Sequence, residues 1–497
     1  MMAAVGAQWA MAVVAGLVLA ASACSSDGGA GVASTTTSTT VARPEGPAAE
    51  LTLLTGGTGI NLVSTSRADL AAAGFVEEEY AAAGTATSYR AVGDLSADGT
   101  FTLEPDVTAD YRTRVVARRP ADAADFNGTV VVEWLNVSAG FDSSPDFTYL
   151  ADELLRGGYA WVGVSAQRIG VEGGEAAVPV PGVPGGGLRA ADPARYGDLA
   201  HPGDAFAYDI YTQVARALRA GGGALGDLVP ERVLAVGESQ SAFALTTYLN
   251  GVQPLTRAFD GFLVHSRGGA PAPLGEPGEG WDLAGSIGGP ATRIRTDGDA
   301  PILVLQTETD VIGVLGYLPA RQPDDDRFRL WEVAGTAHAD AYQVGGAVDV
   351  FDCGGQINDG PQHLVAKAAL RHLDTWVRTG EPPPEAPRLE VDESGAVPAF
   401  VRDADGLARG GIRTPPVDVP VATLSGDAIA SSSVLCLLFG STVPFTEARL
   451  AELYASPAAY TEAYEAAAEE AIAAGWVLED DRAALLDAAQ PEVIPAG

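Results

Sequence analysis

From residue 128 onward, short unbroken apolar runs alternate with amphipathic stretches. The runs are "GTVVVEWLN", "AWVGVSA", "RVLAVGES", "FDGFLVHS", "PILVLQTETD" and "FRLWEVAG". Continuous apolar character, in place of strict alternation, suits strands covered on both faces, as in a parallel sheet flanked by helices. Between them, "FTYLADELLRGG", "AYDIYTQVARALRAGG" and "SAFALTTYLNG" carry helical periodicity and stop at glycine. Upstream, "TSYRAVG", "TFTLE" and "YRTRVVARRP" are β-prone runs separated by Gly, Asp and Pro. They predict an antiparallel N-terminal β region. The fold class expected is therefore α/β, a mostly parallel doubly wound sheet with an N-terminal β region over 51–125 and a core over 126–380. A C-terminal extension over 381–497 begins at "EPPPEAPRLEV" and includes the Ala/Glu-rich helix "YTEAYEAAAEEAIAAGW". Within the core, residues 171–204 are rich in Gly and Pro. A long loop without structure of its own reads as a lid over a site, with a surface excursion as the alternative.

In a doubly wound sheet, chemistry gathers where strands end at their carboxyl edge. The stretch "RVLAVGESQSAF" ends one such strand and begins a helix, with a serine at the junction. A nucleophile elbow needs small residues two before and two after the serine, because strand and helix backbones cross closely there. Around Ser239 these are Gly237 and Ser241, both small. Around Ser241 the later neighbour is Phe243, too bulky for that crossing. Ser239 is the candidate nucleophile, and Ser241 replaces the usual glycine.

A lone G-x-S-x-S is a weak signal, and the strand ends that follow strengthen it. "PILVLQTETD" ends on Asp310, and "FRLWEVAGTAHAD" turns through Gly335 to His338. The chain order Ser239, Asp310, His338 is that of an acid-supported Ser-His pair on this kind of sheet. Glu308 competes for the acid, since in an extended chain it points to the same side as Asp310. An Asp after a strand also serves as a helix cap, and a loop His is often structural. An oxyanion hole needs two N–H donors. Gln240 supplies the first; Asn136 and Val137, in "EWLNVSAGFD", are candidates for the second, with Asn136 also able to brace the loop through its side chain. His265 and Arg267 in "VHSRGG" face either the cleft or the core. This chemistry needs no cofactor and no metal.

Several stretches together resemble a known family: "VVVEWLNVSAGFD", "GYAWVGVSAQRIGV", "RYGDLAHPGDAFAYDIY", "GESQSA", "QTETDV", "AGTAHAD" and "ALRHLDTWVRTGEPPP". They resemble the bacterial alpha/beta hydrolase domain-containing proteins of the α/β-hydrolase superfamily, over roughly residues 95–480. The resemblance implies an esterase-like fold and a serine triad, and it names no substrate. The function expected is serine hydrolysis of a small-molecule carboxylic ester through an acyl-enzyme. The alternative is a non-catalytic surface lipoprotein that uses the fold only for binding.

Composition narrows the partners. A net charge of −35 argues against nucleic acid and against anionic membrane surfaces. "MAVVAGLVLAASAC" is an apolar run of signal-peptide length ending at Cys24. It predicts a signal peptide over 1–23, then a Ser/Thr-rich tether over 24–50. The pattern resembles a lipoprotein signal in which Cys24 is lipidated, although the first residues carry no Lys or Arg and Ala21 replaces the usual Leu. Membrane contact is expected through that anchor only, with a cleaved secretory signal as the other reading. In an exported protein Cys353 and Cys436 are expected to form a disulfide, with two buried thiols as the alternative.

Overall fold

The computed structural model describes residues 43–66, 68–180, 186–428 and 433–496. The expected signal peptide, Cys24 and most of the tether lie outside these. A nine-stranded sheet runs in the order β1-β2-β3-β5-β4-β6-β7-β8-β9. Its strands are β1 Glu50–Leu53, β2 Phe75–Ala91, β3 Leu103–Pro120, β4 Thr129–Trp134, β5 Ala160–Val164, β6 Arg232–Glu238, β7 Gly261–His265, β8 Ile302–Thr307 and β9 Phe328–Val333. From β4 to β9 the pairings are parallel. β1, β2 and β3 pair antiparallel, and β3 joins the parallel part through β5.

The N-terminal β region thus extends the main sheet. Its "TSYRAVG" and "TFTLE" runs belong to one long hairpin of 17 and 18 residues, with an irregular register between Thr87 and Tyr89. The breaks seen in the sequence are absorbed along the strands because an antiparallel ladder tolerates a bulge.

Why the central strands carry so few polar residues is clear from their surroundings. Along β4, Val130, Val132 and Trp134 join one apolar layer, and Val131 with Leu135 joins the other. This is the alternation of a strand with two buried faces. Helices Ala207–Arg219 and Gln240–Thr247 cover the first face through Tyr208, Tyr211, Val214 and Leu245. Helices Pro145–Arg156 and Gln362–Thr379 cover the second through Phe147, Leu150, Leu370 and Leu373. Glu133, between Val132 and Trp134, is the exception. Its carboxylate accepts from the Asp146 and Phe147 amides, at 3.1 and 2.8 Å, at the start of the first of those two helices, and from Trp161 Nε1 at 2.9 Å.

The C-terminal segment packs on this body. Lys367, the only lysine, is buried and reaches Asp481 at 2.7 Å, while Arg156 grips the same carboxylate through two bonds of 2.7 Å. The 171–204 insertion has more structure than its composition suggests: helices Arg168–Glu172, Gly187–Ala191 and Pro193–Tyr196 order its described part. Leu188, Tyr196 and Leu199 anchor it in a small apolar cluster, and these scattered apolar residues were masked by the surrounding Gly and Pro. Among the described residues, no helix is long and apolar enough to cross a membrane.

Cys353 and Cys436 are bridged, 83 residues apart, with Cα atoms 5.4 Å apart. A cross-link closing so long a loop removes much conformational freedom from the unfolded chain. The Cys353→Ser/Cys436→Ser double variant is expected to lose about 2–4 kcal/mol of stability in urea unfolding; an unchanged midpoint would contradict this.

Candidate active site

At the end of β6 the chain turns sharply on Ser239, whose φ is 61° and ψ −124°. Such a backbone is strained for a residue with a side chain, so neighbouring structure must hold it. The Ser239 amide donates to His265 O at 3.0 Å, and Ser239 O accepts from the Ala242 and Phe243 amides at 2.8 and 3.2 Å. The steric reading of the elbow has a direct counterpart here. A Cβ built on Gly237 would lie 3.0 Å from Ser241 Cβ and 3.0 Å from Leu245 Cδ1. The crossing therefore has room for the Cβ of Ser241 and none for a second one from position 237. The Ser241 hydroxyl is buried and makes no hydrogen bond, so its part at the turn is to be small.

Ser239 Oγ lies 2.8 Å from His338 Nε2, and His338 Nδ1 lies 2.7 Å from Asp310 Oδ1. Because a carboxylate only accepts, Nδ1 carries the proton and Nε2 is left to accept from the serine hydroxyl. The second oxygen of Asp310 accepts from the Thr307 amide and hydroxyl, at 2.7 and 2.8 Å. Thr307 and Asp310 form the capping box of the helix Glu308–Ile312. Local helix chemistry thus fixes the carboxylate before His338 meets it.

Glu308 is not placed for this role. In an extended chain Glu308 would point to the same side as Asp310. The helix starts at Glu308, and two residues along a helix point to widely different directions. Its carboxylate instead accepts from the Gly335 and Gly426 amides, at 2.6 and 3.1 Å, and from Arg402 at 3.1 Å. Burial pushes its pKa up, while the Arg402 charge and the two amides oppose that shift. Glu308 ties the turn before His338 to the C-terminal segment.

The loop after β4 reaches the residues that flank Ser239. Asn136 is not available as a backbone donor, because its amide bonds to Ser143 O at 3.0 Å. Its side chain braces the loop: Nδ2 donates to Glu238 O at 3.1 Å, and Oδ1 accepts from the Ser138 amide at 2.8 Å. The Val137 amide donates to Gln240 Oε1 at 3.2 Å, which brings it beside the residue that follows Ser239. Gln240 is the first residue of its helix, where the helical ladder leaves amides without acceptors.

Beneath these residues lies a buried group of acids that composition did not single out. Glu238 Oε1 is 3.8 Å from His338 Nε2. Its pKa is raised well above the usual value, first by burial and then by the charges of Asp146, Asp310, Glu133 and Asp340. Its position directly before Ser239 was the available signal. His265 does not face the cleft: it is fully buried, with Nδ1 2.9 Å from Asp146 Oδ1 and Nε2 against Gln362 at 2.8 Å. Arg267 is buried too, donating to the carbonyls of Gly268, Gly269 and Thr292. Among the described residues, no group of three or more His, Cys, Asp or Glu is arranged to hold a metal ion.

Asp340 caps the helix Ala341–Val344 through the Gln343 amide at 2.9 Å, and burial pushes its carboxyl up to about 7. An Asp in the unfolded chain ionises near pH 4, at about 3.9. As pH rises, the unfolded state therefore sheds this proton first, and stability is lost between about pH 4 and 7. Asp340→Asn removes that loss while keeping a capping oxygen. Its stability relative to the parent is expected to rise by on the order of a few kcal/mol across that window and level off above it. Urea unfolding at stepped pH checks this, and a pH-independent difference would contradict it.

Residues 41–487 match the family described as "Alpha/beta hydrolase domain". No curated protein matches. Similar solved structures include an α/β serine hydrolase without a lid from Xanthomonas campestris, 13% identical, covering 58% of this chain and 94% of that one, with a TM-score of 0.29. A putative dienelactone hydrolase from Klebsiella pneumoniae subsp. pneumoniae is 12% identical, covering 60% and 99%, with a TM-score of 0.31. A glucuronoyl esterase from Solibacter usitatus is 10% identical, covering 59% and 82%, with a TM-score of 0.26. With the family match spanning nearly all of the described sequence, the chain belongs to the alpha/beta hydrolase domain family.

Proposed function

We propose that this protein is a serine hydrolase that cleaves carboxylic esters through an acyl-enzyme intermediate. The observation that carries the reading is the unbroken chain of contacts from Ser239 Oγ to His338 to Asp310, at 2.8 and 2.7 Å, on a strained turn held from both sides. His338 Nε2 takes the hydroxyl proton as Ser239 Oγ attacks the ester carbonyl. Asp310 keeps the imidazole in the required tautomer and stabilises its charged form. The negative oxygen of the tetrahedral intermediate is held by the Gln240 amide, with the Val137 amide as second donor once it exchanges Gln240 Oε1 for the substrate oxygen. His338 then protonates the departing alcohol, and a water activated by the same imidazole releases the acid. The steps use protein side chains and water alone.

Glu238 bears on the same proton. Burial and the charges of the neighbouring acids raise the pKa of this carboxyl, which favours its neutral form 3.8 Å from His338 Nε2. We also assign the protein to the cell exterior, exported by the N-terminal signal and anchored through a lipidated Cys24; the apolar run ending in a cysteine supports this part.

Folded wild type is expected to react with a fluorophosphonate probe, and Ser239→Ala is expected to abolish the labelling. A well-folded wild type that fails to react, or equal labelling of the variant, would overturn the assignment in favour of a binding protein. Asp310→Asn should lower kcat by about 10³–10⁴-fold, since it upsets the tautomer of the base. Glu308→Gln should act mainly on stability, with little change in turnover per labelled site. For the anchor, Cys24→Ala is expected to move the protein from the membrane fraction to the soluble or secreted one; unchanged fractionation would remove lipidation from the proposal.

A further inference from the structure

The disulfide lies nearer to the reacting atoms than its place in the sequence suggests. Cys436 stands between Val434 and Leu438, and both line the cleft that contains Ser239 and His338. The bond to Cys353 holds this segment from behind, within an apolar cluster that includes Ile357 and Phe439. Two backbone bonds fix it further: Leu438 O accepts from the Ala339 amide at 3.1 Å, and Phe439 O accepts from the Asn358 amide at 2.9 Å. The first of these donors directly follows His338. This side of the cleft therefore has little freedom to retreat.

Another stretch of the lining is equally constrained. Phe243, on the helix that follows the elbow, packs against Gly268 so closely that a Cβ there would lie 2.2 Å from the ring. Val314 and Leu315 continue that side. The space left between the walls is about 50 Å³. A dry protein cavity that takes up benzene measures about 150 Å³, so this one admits only a short substituent. Its described lining includes no Asp, Glu, Lys or Arg, so a charged substituent would lose hydration there without a carboxylate, ammonium or guanidinium to pair with.

We propose that the disulfide-held segment 433–438 is the size-limiting wall of the acyl site, and that the substrate is an ester of a short, uncharged, apolar acid. The acyl group occupies the cleft between Leu438 and Phe243, and bulk beyond it projects past Val434, which is half exposed at the mouth. This inference rests on Ser239 being the nucleophile.

The test compares kcat/KM for p-nitrophenyl acetate, butyrate and octanoate, with rates normalised to the fraction of Ser239 labelled by fluorophosphonate. Wild type is expected to fall at least about tenfold from butyrate to octanoate, in line with the discrimination a tight apolar pocket achieves. Leu438→Ala and the Cys353→Ala/Cys436→Ala double variant should each raise the octanoate-to-acetate ratio by about tenfold, and Leu438→Ile should restore the wild-type ratio. Should the enlarged variants fail to fold, Val434→Trp at the exposed rim narrows the cleft, and the butyrate-to-acetate ratio should drop by about tenfold. Labelled enzyme that cleaves octanoate as readily as acetate, or ratios unmoved in every folded variant, would overturn the wall and leave the nucleophile standing. Absence of labelling in folded wild type would overturn both.

Discussion

The whole site depends on the close crossing of β6 with the helix that follows it. Ser239 occupies a backbone conformation that a residue with a side chain adopts only under constraint, and the constraint has three parts. Its amide is held by His265 O from the neighbouring strand, its carbonyl by two helix amides, and its flanks by two small residues that let the backbones approach. Each part needs the parallel sheet to be fully formed. The hydroxyl is then presented at the carboxyl edge, where β8 and β9 also deliver their end residues.

The elements around this turn share a division of labour that runs along both chain and sheet. Helix-capping chemistry at Thr307 and Asp310 fixes the acid, and the loop after β4 is braced by the side chain of Asn136 against Glu238 O. The C-terminal segment completes the arrangement from outside. It meets Glu308 through Gly426 and Arg402, and it lines the cleft with Val434 and Leu438. The Ser239–His338–Asp310 contacts and the adjoining cleft are thus fixed by different parts of the chain, and the buried Glu308 and the disulfide are the joints between them.

Around Ser239, several carboxyls are crowded into the buried interior. Glu133 accepts from two helix amides and an indole N–H, and Asp340 accepts from the Gln343 amide; burial raises the pKa of Glu133, Glu238 and Asp340 alike, that of Asp340 to about 7. A buried acid that remains neutral avoids most of the desolvation cost of a charge. For Asp340, stability is given up as pH rises toward its raised pKa.

Much of this was legible in the sequence. Apolar runs without alternation determined a sheet buried on both faces, and their spacing marked the strand ends where Ser239, Asp310 and His338 stand. The bulk of Phe243 put Ser239 at the turn in place of Ser241, since sterics at a turn depend on neighbours in the chain. Choosing Asp310 over Glu308 needed the structure, because it depends on where the strand gives way to a helix. The same is true of Asn136, whose amide is claimed by Ser143, and of His265, which turns to Asp146 in the core. The surroundings of Glu238 and the place of Leu438 beside Ser239 and His338 are decided by contacts between segments far apart in the chain. Local pattern encodes which way the backbone runs and which residues are small, apolar or charged; only tertiary packing decides which buried polar group finds which partner.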